Sequence, residues 1–116
     1  MQRLGLVLKK LATGENQTVT ATAMFIFIGS IPHSQLVENL VAWEEKGFVV
    51  TGPDLPTFEG RPRGWRLDRD PYLLETSVPG IFAVGDVRFG SSKRVAAAVG
   101  EGSTAVRLSH QYLATV

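Results

Sequence analysis

Gly85-Asp86 follows directly on the apolar run Ile81-Phe82-Ala83-Val84, and a short loop then leads to Lys93-Arg94-Val95 and a run of small residues. A carboxylate placed after a buried strand and a glycine lies at the carboxyl end of that strand, where ligands bind in open α/β sheets. Gly85 lets a ligand approach the backbone, and Asp86 can accept hydrogen bonds from sugar-like hydroxyls. A helix beginning near Lys93 adds unpaired amides and a partial positive charge, reinforced by Lys93 and Arg94. Such an edge suits a ligand that carries both hydroxyls and an electron-rich ring, which points to a flavin. Aimed at the ring's pyrimidine end, the helix terminus would stabilise the negative charge that develops on reduction. The competing role for Asp86 is to cap the following turn or helix. An isolated Gly-Asp would favour that role, but the context from Thr76 onward favours the ligand.

Other arrangements carry less. Gly100-Glu101-Gly102-Ser103-Thr104-Ala105 fits the spacing of a dinucleotide fingerprint, but it lies inside a predicted helix and follows no strand. Gly85 to Lys93 resembles a phosphate loop only loosely, with its lysine out of register. His33 and His110 are far apart, with no third ligand spaced to join them in a metal site. No serine or threonine sits on a nucleophile elbow, and no catalytic residue is assigned.

With 116 residues the chain is at most one domain, large enough for a modest core. The absence of cysteine removes disulfides, thiolate metal sites and any redox dithiol within the chain. The charge is nearly balanced at +1. Arg61, Arg63, Arg66 and Arg69 gather around Trp65, but Glu59, Asp68 and Asp70 interleave with them, so a solvated loop is favoured over a nucleic-acid face. No segment reads as a signal peptide or membrane span, and a cytoplasmic protein is expected.

The elements that position these residues read as follows. Leu4–Lys10 and Gln17–Ala21 form a hairpin around Ala12–Asn16. Met24–Ile28 is a strand buried on both faces, as in a parallel sheet, and Ile81–Val84 is a second. Ser34 caps a short helical turn, followed by a hairpin of Leu40–Ala42 with Phe48–Val50. Gly52–Pro71 holds four of the six prolines and is a long irregular loop. Lys93 to about Leu113 is the one long helix, with Val95, Val99, Val106 and Leu113 at helical spacing. Gly100 and Gly102 inside it each cost roughly 1 kcal/mol relative to alanine, which close packing would offset.

Glu75-Thr-Ser-Val-Pro-Gly-Ile-Phe-Ala-Val-Gly-Asp-Val resembles the second flavin-binding motif of the thioredoxin reductase family, and the likeness runs on through Lys93-Arg94-Val95 to Tyr112-Leu113. Met24 to Pro32 looks like that family's strand returning from the nicotinamide domain to the flavin domain. Gly47-Phe-Val-Val-Thr-Gly-Pro-Asp-Leu, with Trp65 and Arg69-Asp-Pro, resembles a subgroup often fused to a cyclic-nucleotide-binding or response-regulator domain. The family's glycine-rich loops for pyrophosphate and nicotinamide, and its Cys-x-x-Cys, have no counterpart here.

The resemblance implies an α/β fold: a partial FAD/NAD(P)-binding Rossmann-like domain with parallel strands, antiparallel hairpins and a long C-terminal helix. Residues 1–21 would be a remnant of the nicotinamide-domain hairpin and 22–116 the C-terminal portion of the flavin domain. The implied activity is FAD-dependent NAD(P)H oxidoreduction of the thioredoxin reductase type. Gly85, Asp86, Lys93, Arg94 and Val95 would form an incomplete FAD site, and NADPH would bind only through regions with no counterpart here. The implied partner is a complementary N-terminal polypeptide or a second copy, as in a dimer, and not nucleic acid, membrane or metal. The alternative is a non-catalytic interaction module that self-associates through its incomplete flavin domain.

Overall fold

The computed structural model describes residues 2–116 and divides into two compact units, one ending at Ser30 and the other spanning Ile31–Val116. The first unit is the expected hairpin. β1 (Leu4–Lys9) pairs antiparallel with β2 (Asn16–Ala21), in a register running from Leu4 opposite Ala21 to Lys9 opposite Asn16. Gly14, at φ 74°, closes the connection by donating its N–H to the Lys10 carbonyl at 2.7 Å.

Met24–Ile28 departs from expectation. The run is in no strand, and its five side chains are 53 to 91 % exposed. A run apolar on both faces is buried only between two neighbours, and no described strand pairs with it. Phe25 and Phe27 instead stack on each other, centroids 6.5 Å apart.

In the second unit the core is formed by Val41, Val49 and Ala83, with Val37, Val78, Ile81 and Val87 packed against them. Residues 35–40 make successive turns and not an α-helix. Ser34 does not cap them, because its hydroxyl donates to the Gly47 carbonyl at 2.6 Å. The expected hairpin is short, with Val50 N–H bonded to Ala42 O, Glu44 N–H bonded to Phe48 O, and Trp43 opposite Val49.

Ile81–Val84 does not form a parallel strand. It folds back on Leu74–Thr76, with Ala83 N–H donating to Leu74 O and Thr76 N–H to Ile81 O. The Pro79-Gly80 turn aims the segment at its own antecedent, and Glu75 and Phe82 form an antiparallel bridge. The parallel pairing among the described residues is the single bridge of Val49 with Arg88.

Gly52–Pro71 is more ordered than an irregular loop. A 3-10 turn covers Gly52–Asp54, and β3 (Thr57–Phe58) pairs antiparallel with β4 (Arg61–Pro62). Glu59 and Gly60 between them both have positive φ, as a two-residue hairpin turn with the sheet's twist requires. Arg61, Arg63 and Arg66 are exposed, as expected of a solvated loop. Arg69 is not. Its Nη1 and Nη2 donate to Glu75 Oε2 and Oε1 at 2.7 and 2.9 Å, and its guanidinium lies 4.0 Å from the Tyr72 ring centroid. The Glu75 side chain is 0 % exposed. The amides of Tyr72 and Gly80 complete its set of donors, each at 2.9 Å. Gly80 is at φ 81°, and a Cβ there would come within 2.6 Å of the Tyr112 ring.

α1 spans Val95–Leu113. It begins two residues later than predicted, because Lys93 is at φ 54° and Arg94 is extended. Its inward face is Ala98, Glu101, Ala105, Leu108 and Tyr112, while Val95, Val99, Val106 and Leu113 are 61 to 83 % exposed. Gly100 and Gly102 are not close-packed: a Cβ on either would meet nothing within 4 Å. No described helix is long and apolar enough to cross a membrane.

Two predictions follow from this packing. Gly100→Ala and Gly102→Ala each restrict the unfolded chain without a clash, and should raise the unfolding free energy in urea by about 1 kcal/mol. Loss of stability in either would mean that the glycine face is occupied. Arg69→Ala strands a fully buried carboxylate and should lower stability by about 3 kcal/mol. A loss below about 1 kcal/mol would show that the Tyr72 and Gly80 amides suffice to hold Glu75.

Candidate functional site

Val84 is extended, and a 3-10 turn of Gly85–Val87 then reverses the chain. Gly85 is buried at φ 74°, a conformation that a side chain strains. The turn directs Asp86 outward. Its carboxylate accepts no hydrogen bond and forms no ion pair among the described residues.

Asp86 shares a cleft of about 430 Å³ with Lys93, Arg94, Val95, Ala98 and Val99. The carboxylate and the amino end of α1 therefore meet on one rim. Of the sequence-selected site residues, Asp86, Lys93, Arg94 and Val95 line this cleft, and Gly85, which is buried, does not. The Arg94 side chain does not cap the helix, and the first turn holds no acidic residue. The terminus keeps its positive end and the unbonded amides of its first turn.

The Lys93 side chain plays a different part from the one expected. Its Nζ donates to Ser91 Oγ at 2.7 Å and to Arg88 O at 3.4 Å, and lies 4.0 Å from the centroid of the Phe48 ring. The ammonium is thus engaged with the loop and the neighbouring hairpin. What Lys93 gives the cleft is a left-handed backbone, a strained conformation of the kind concentrated at ligand sites.

The sequence does not single out Glu101, which stands there only within the Gly100–Ala105 spacing. Glu101 Oε2 accepts the Gly85 N–H at 2.7 Å and Arg88 Nε at 3.1 Å, and Oε1 accepts Arg88 Nη2 at 2.6 Å. Its place in the register of the inward helix face was the signal available: an acidic residue among small ones on a buried face needs a partner. In the sequence Glu75 stands only within a motif, and its partner Arg69 is expected in a solvated loop, from which their ion pair removes it.

Both carboxylates titrate below the ordinary range. For Glu101 the chief cause is the hydrogen bond from Arg88, which overcomes desolvation with help from the Gly85 amide. For Glu75 the largest effect is burial, which pushes upward, and the Arg69, Gly80 and Tyr72 donors together outweigh it. Arg88 and Arg69 are raised, first by the hydrogen bonds to the same carboxylates. His33 and His110 are exposed, and no group of three His, Cys, Asp or Glu among the described residues is disposed to hold a metal.

The residues fit one part of a flavin nucleotide. An uncommitted carboxylate on a glycine turn suits polyol hydroxyls, and an uncapped helix start beside Arg94 suits the electron-accepting edge of a ring. Nothing in the described residues forms a glycine-rich strand–loop–helix cradle for a diphosphate.

In architecture, a few short strands and one long helix, the chain resembles part of a thioredoxin reductase. The structure superimposes on the FR conformation of thioredoxin reductase from Lactococcus lactis with a TM-score of 0.62 and 27 % identity, over 97 % of this chain and 31 % of that one. Residues 2–102 match the pyridine nucleotide-disulphide oxidoreductase family. The chain belongs to that family, and within it is thioredoxin reductase-like. It is 34 % identical to thioredoxin reductase of Bacillus subtilis over 101 residues, which cover 87 % of this chain and 26 % of the relative. It is 32 % identical to NADPH-dependent thioredoxin reductase 3 of Arabidopsis thaliana over 112 residues, covering 97 % of this chain and 18 % of that protein. The chain thus spans less than a third of these relatives' own length.

The lowered carboxylates set a pH dependence. A free glutamate titrates at about 4.3, and Glu75 and Glu101 titrate lower when folded. Their stabilisation is whole above the unfolded value and is lost as pH falls through the folded values. The melting temperature should hold from pH 7 to about 5.5 and fall steeply below about 4.5. Glu75→Gln and Glu101→Gln should each start lower and flatten that fall, and an unchanged slope in both would assign acid sensitivity elsewhere.

Proposed function

We propose that this chain provides one wall of an FAD site in an NAD(P)H oxidoreductase of the thioredoxin reductase type. The observation that carries the proposal is the shared cleft of Asp86 with the start of α1. On this reading Asp86 lies at the ribityl or pyrophosphate part of FAD and accepts hydrogen bonds from the ribityl hydroxyls. Gly85 keeps the backbone low beneath it, and the Arg94-Val95 amides, with the Arg94 charge, face the flavin ring. When bound, FAD supplies the acceptor for a hydride from reduced nicotinamide. The chain's own part is to orient the polyol, exclude water from one side, and place the positive end of α1 where negative charge grows.

In domain terms, residues 1–21 are the proposed remnant of the nicotinamide-domain hairpin and 22–116 the flavin-domain portion. The diphosphate is assigned to a complementary N-terminal polypeptide carrying a glycine-rich loop. The exposed apolar line of Val95, Val99, Val106 and Leu113 is a face that such a polypeptide would cover. The same line supports the second reading, a non-catalytic module that self-associates.

The test is titration with FAD, with and without a polypeptide bearing that loop, followed by flavin fluorescence and by light scattering. Binding that the polypeptide strengthens, and that Asp86→Ala weakens by about tenfold or more, is the expected result. A colourless oligomer indifferent to FAD would replace this reading with the interaction module.

A further inference from the structure

Arg88, Lys93 and Arg94 follow Asp86 closely in sequence, yet its carboxylate is paired with none of them. Arg88 is two positions on, at the C-cap of the turn that carries Asp86. It is held off by Glu101, which takes Nε and Nη2 together at 3.1 and 2.6 Å. Arg88 Nη1 is bound to the Phe89 carbonyl at 3.0 Å. The arginine and glutamate side chains are only 15 and 16 % exposed, so the fork is held in one geometry. The oxygen of Glu101 that accepts Arg88 Nε also accepts the Gly85 amide, so one carboxylate fixes both the turn under Asp86 and the cation beside it.

We propose that Glu101 is a positioning residue for the cleft: by anchoring the Gly85 amide and sequestering Arg88 it keeps the Asp86 carboxylate free for a ligand's hydroxyls. This rests on the FAD reading for the identity of the ligand and on geometry alone for the clamp. A carboxylate that accepts a guanidinium fork loses most of its acceptor capacity in the plane of that fork. A free Arg88 would therefore compete with the ligand's hydroxyls, and Glu101 removes the competitor.

The discriminating comparison is Glu101→Gln against Arg88→Gln, since both break the same ion pair. Glu101→Gln leaves Arg88 free to pair with Asp86 and should weaken FAD binding by about tenfold. Arg88→Gln leaves no competitor, and with Glu101 still on the Gly85 amide it should bind FAD about fivefold or more tighter than Glu101→Gln. Adding Arg88→Gln to Glu101→Gln should restore most of the lost affinity. A purely structural ion pair predicts the opposite: equal loss in both single variants and no restoration in the double. Either result overturns the proposal.

The clamp is also read without flavin, by amide exchange at Gly85 and by the Arg88 Nε–H signal in NMR spectra. Glu101→Ala should quicken Gly85 exchange, and both Glu101 variants should broaden the Arg88 signal. If both probes are unmoved, the clamp is refuted whatever FAD does. If the probes move but the unsubstituted chain binds no FAD, even with the complementary polypeptide, the failure belongs to the FAD reading and the clamp stands.

Discussion

The second unit depends on keeping one carboxylate ionised in the core. Glu75 is shut from solvent, and an ion in that position is tolerable only with near-complete hydrogen bonding. Four N–H donors supply it, two from the Arg69 fork and one each from the Tyr72 and Gly80 amides. These donors come from the end of the long connection and from the Pro79-Gly80 turn, so the ion ties both to the segment between them. The turn sends Ile81–Val84 back along Leu74–Thr76, and that course delivers Gly85 and Asp86 to their edge. Tyr112, packed on Gly80 and 5.9 Å from the Arg69 guanidinium, brings the far end of α1 to the same point.

Glu101 repeats the device at the other end of the segment. Each glutamate accepts the amide of a glycine at positive φ, Gly80 or Gly85, and each is neutralised by an arginine. A glycine in that conformation turns its N–H away from the ladder its neighbours make, so a buried glycine amide needs an acceptor from elsewhere. The two carboxylates meet that need at successive turns. Between them they fix Pro79 to Arg88 against α1, which is why the helix start and Asp86 share a cleft although the paired strands around them are few.

Much of this was legible in the sequence. The β1–β2 hairpin, the Pro79-Gly80 turn, the long helix and the placing of Asp86 beside its start all follow from turn residues and period. The apolar patterns predict burial that the described residues do not supply. Met24–Ile28 and the line of Val95, Val99, Val106 and Leu113 are apolar because of what could cover them, and pattern reports a residue's preference without reporting whether a neighbour is present. β3 and β4 are two residues each, too short for alternation to register. Arg69 and Glu75 were hidden for another reason. Each is common on surfaces, and only the fold brings them together in a buried pair, so local propensity had no access to it. Lys93 was read by its charge, whereas its backbone conformation decides where the helix begins.

The charges left uncommitted on the cleft define what it can recognise. Lys93 and Arg88 are spent on Phe48, Ser91 and Glu101, so the free groups are the Asp86 carboxylate, Arg94 and the start of α1. A helix terminus as exposed as this one is worth up to about 1 kcal/mol toward an adjacent negative charge. For a two-electron carrier that corresponds to roughly 20 mV. An effect of this size adjusts a reduction potential and cannot create one. On the proposed reading the rim therefore serves a ligand that brings its own redox chemistry, with Asp86 holding its hydroxyls and α1 favouring its reduced form. That division of labour makes the freedom of Asp86 from neighbouring cations as important to the site as its presence there.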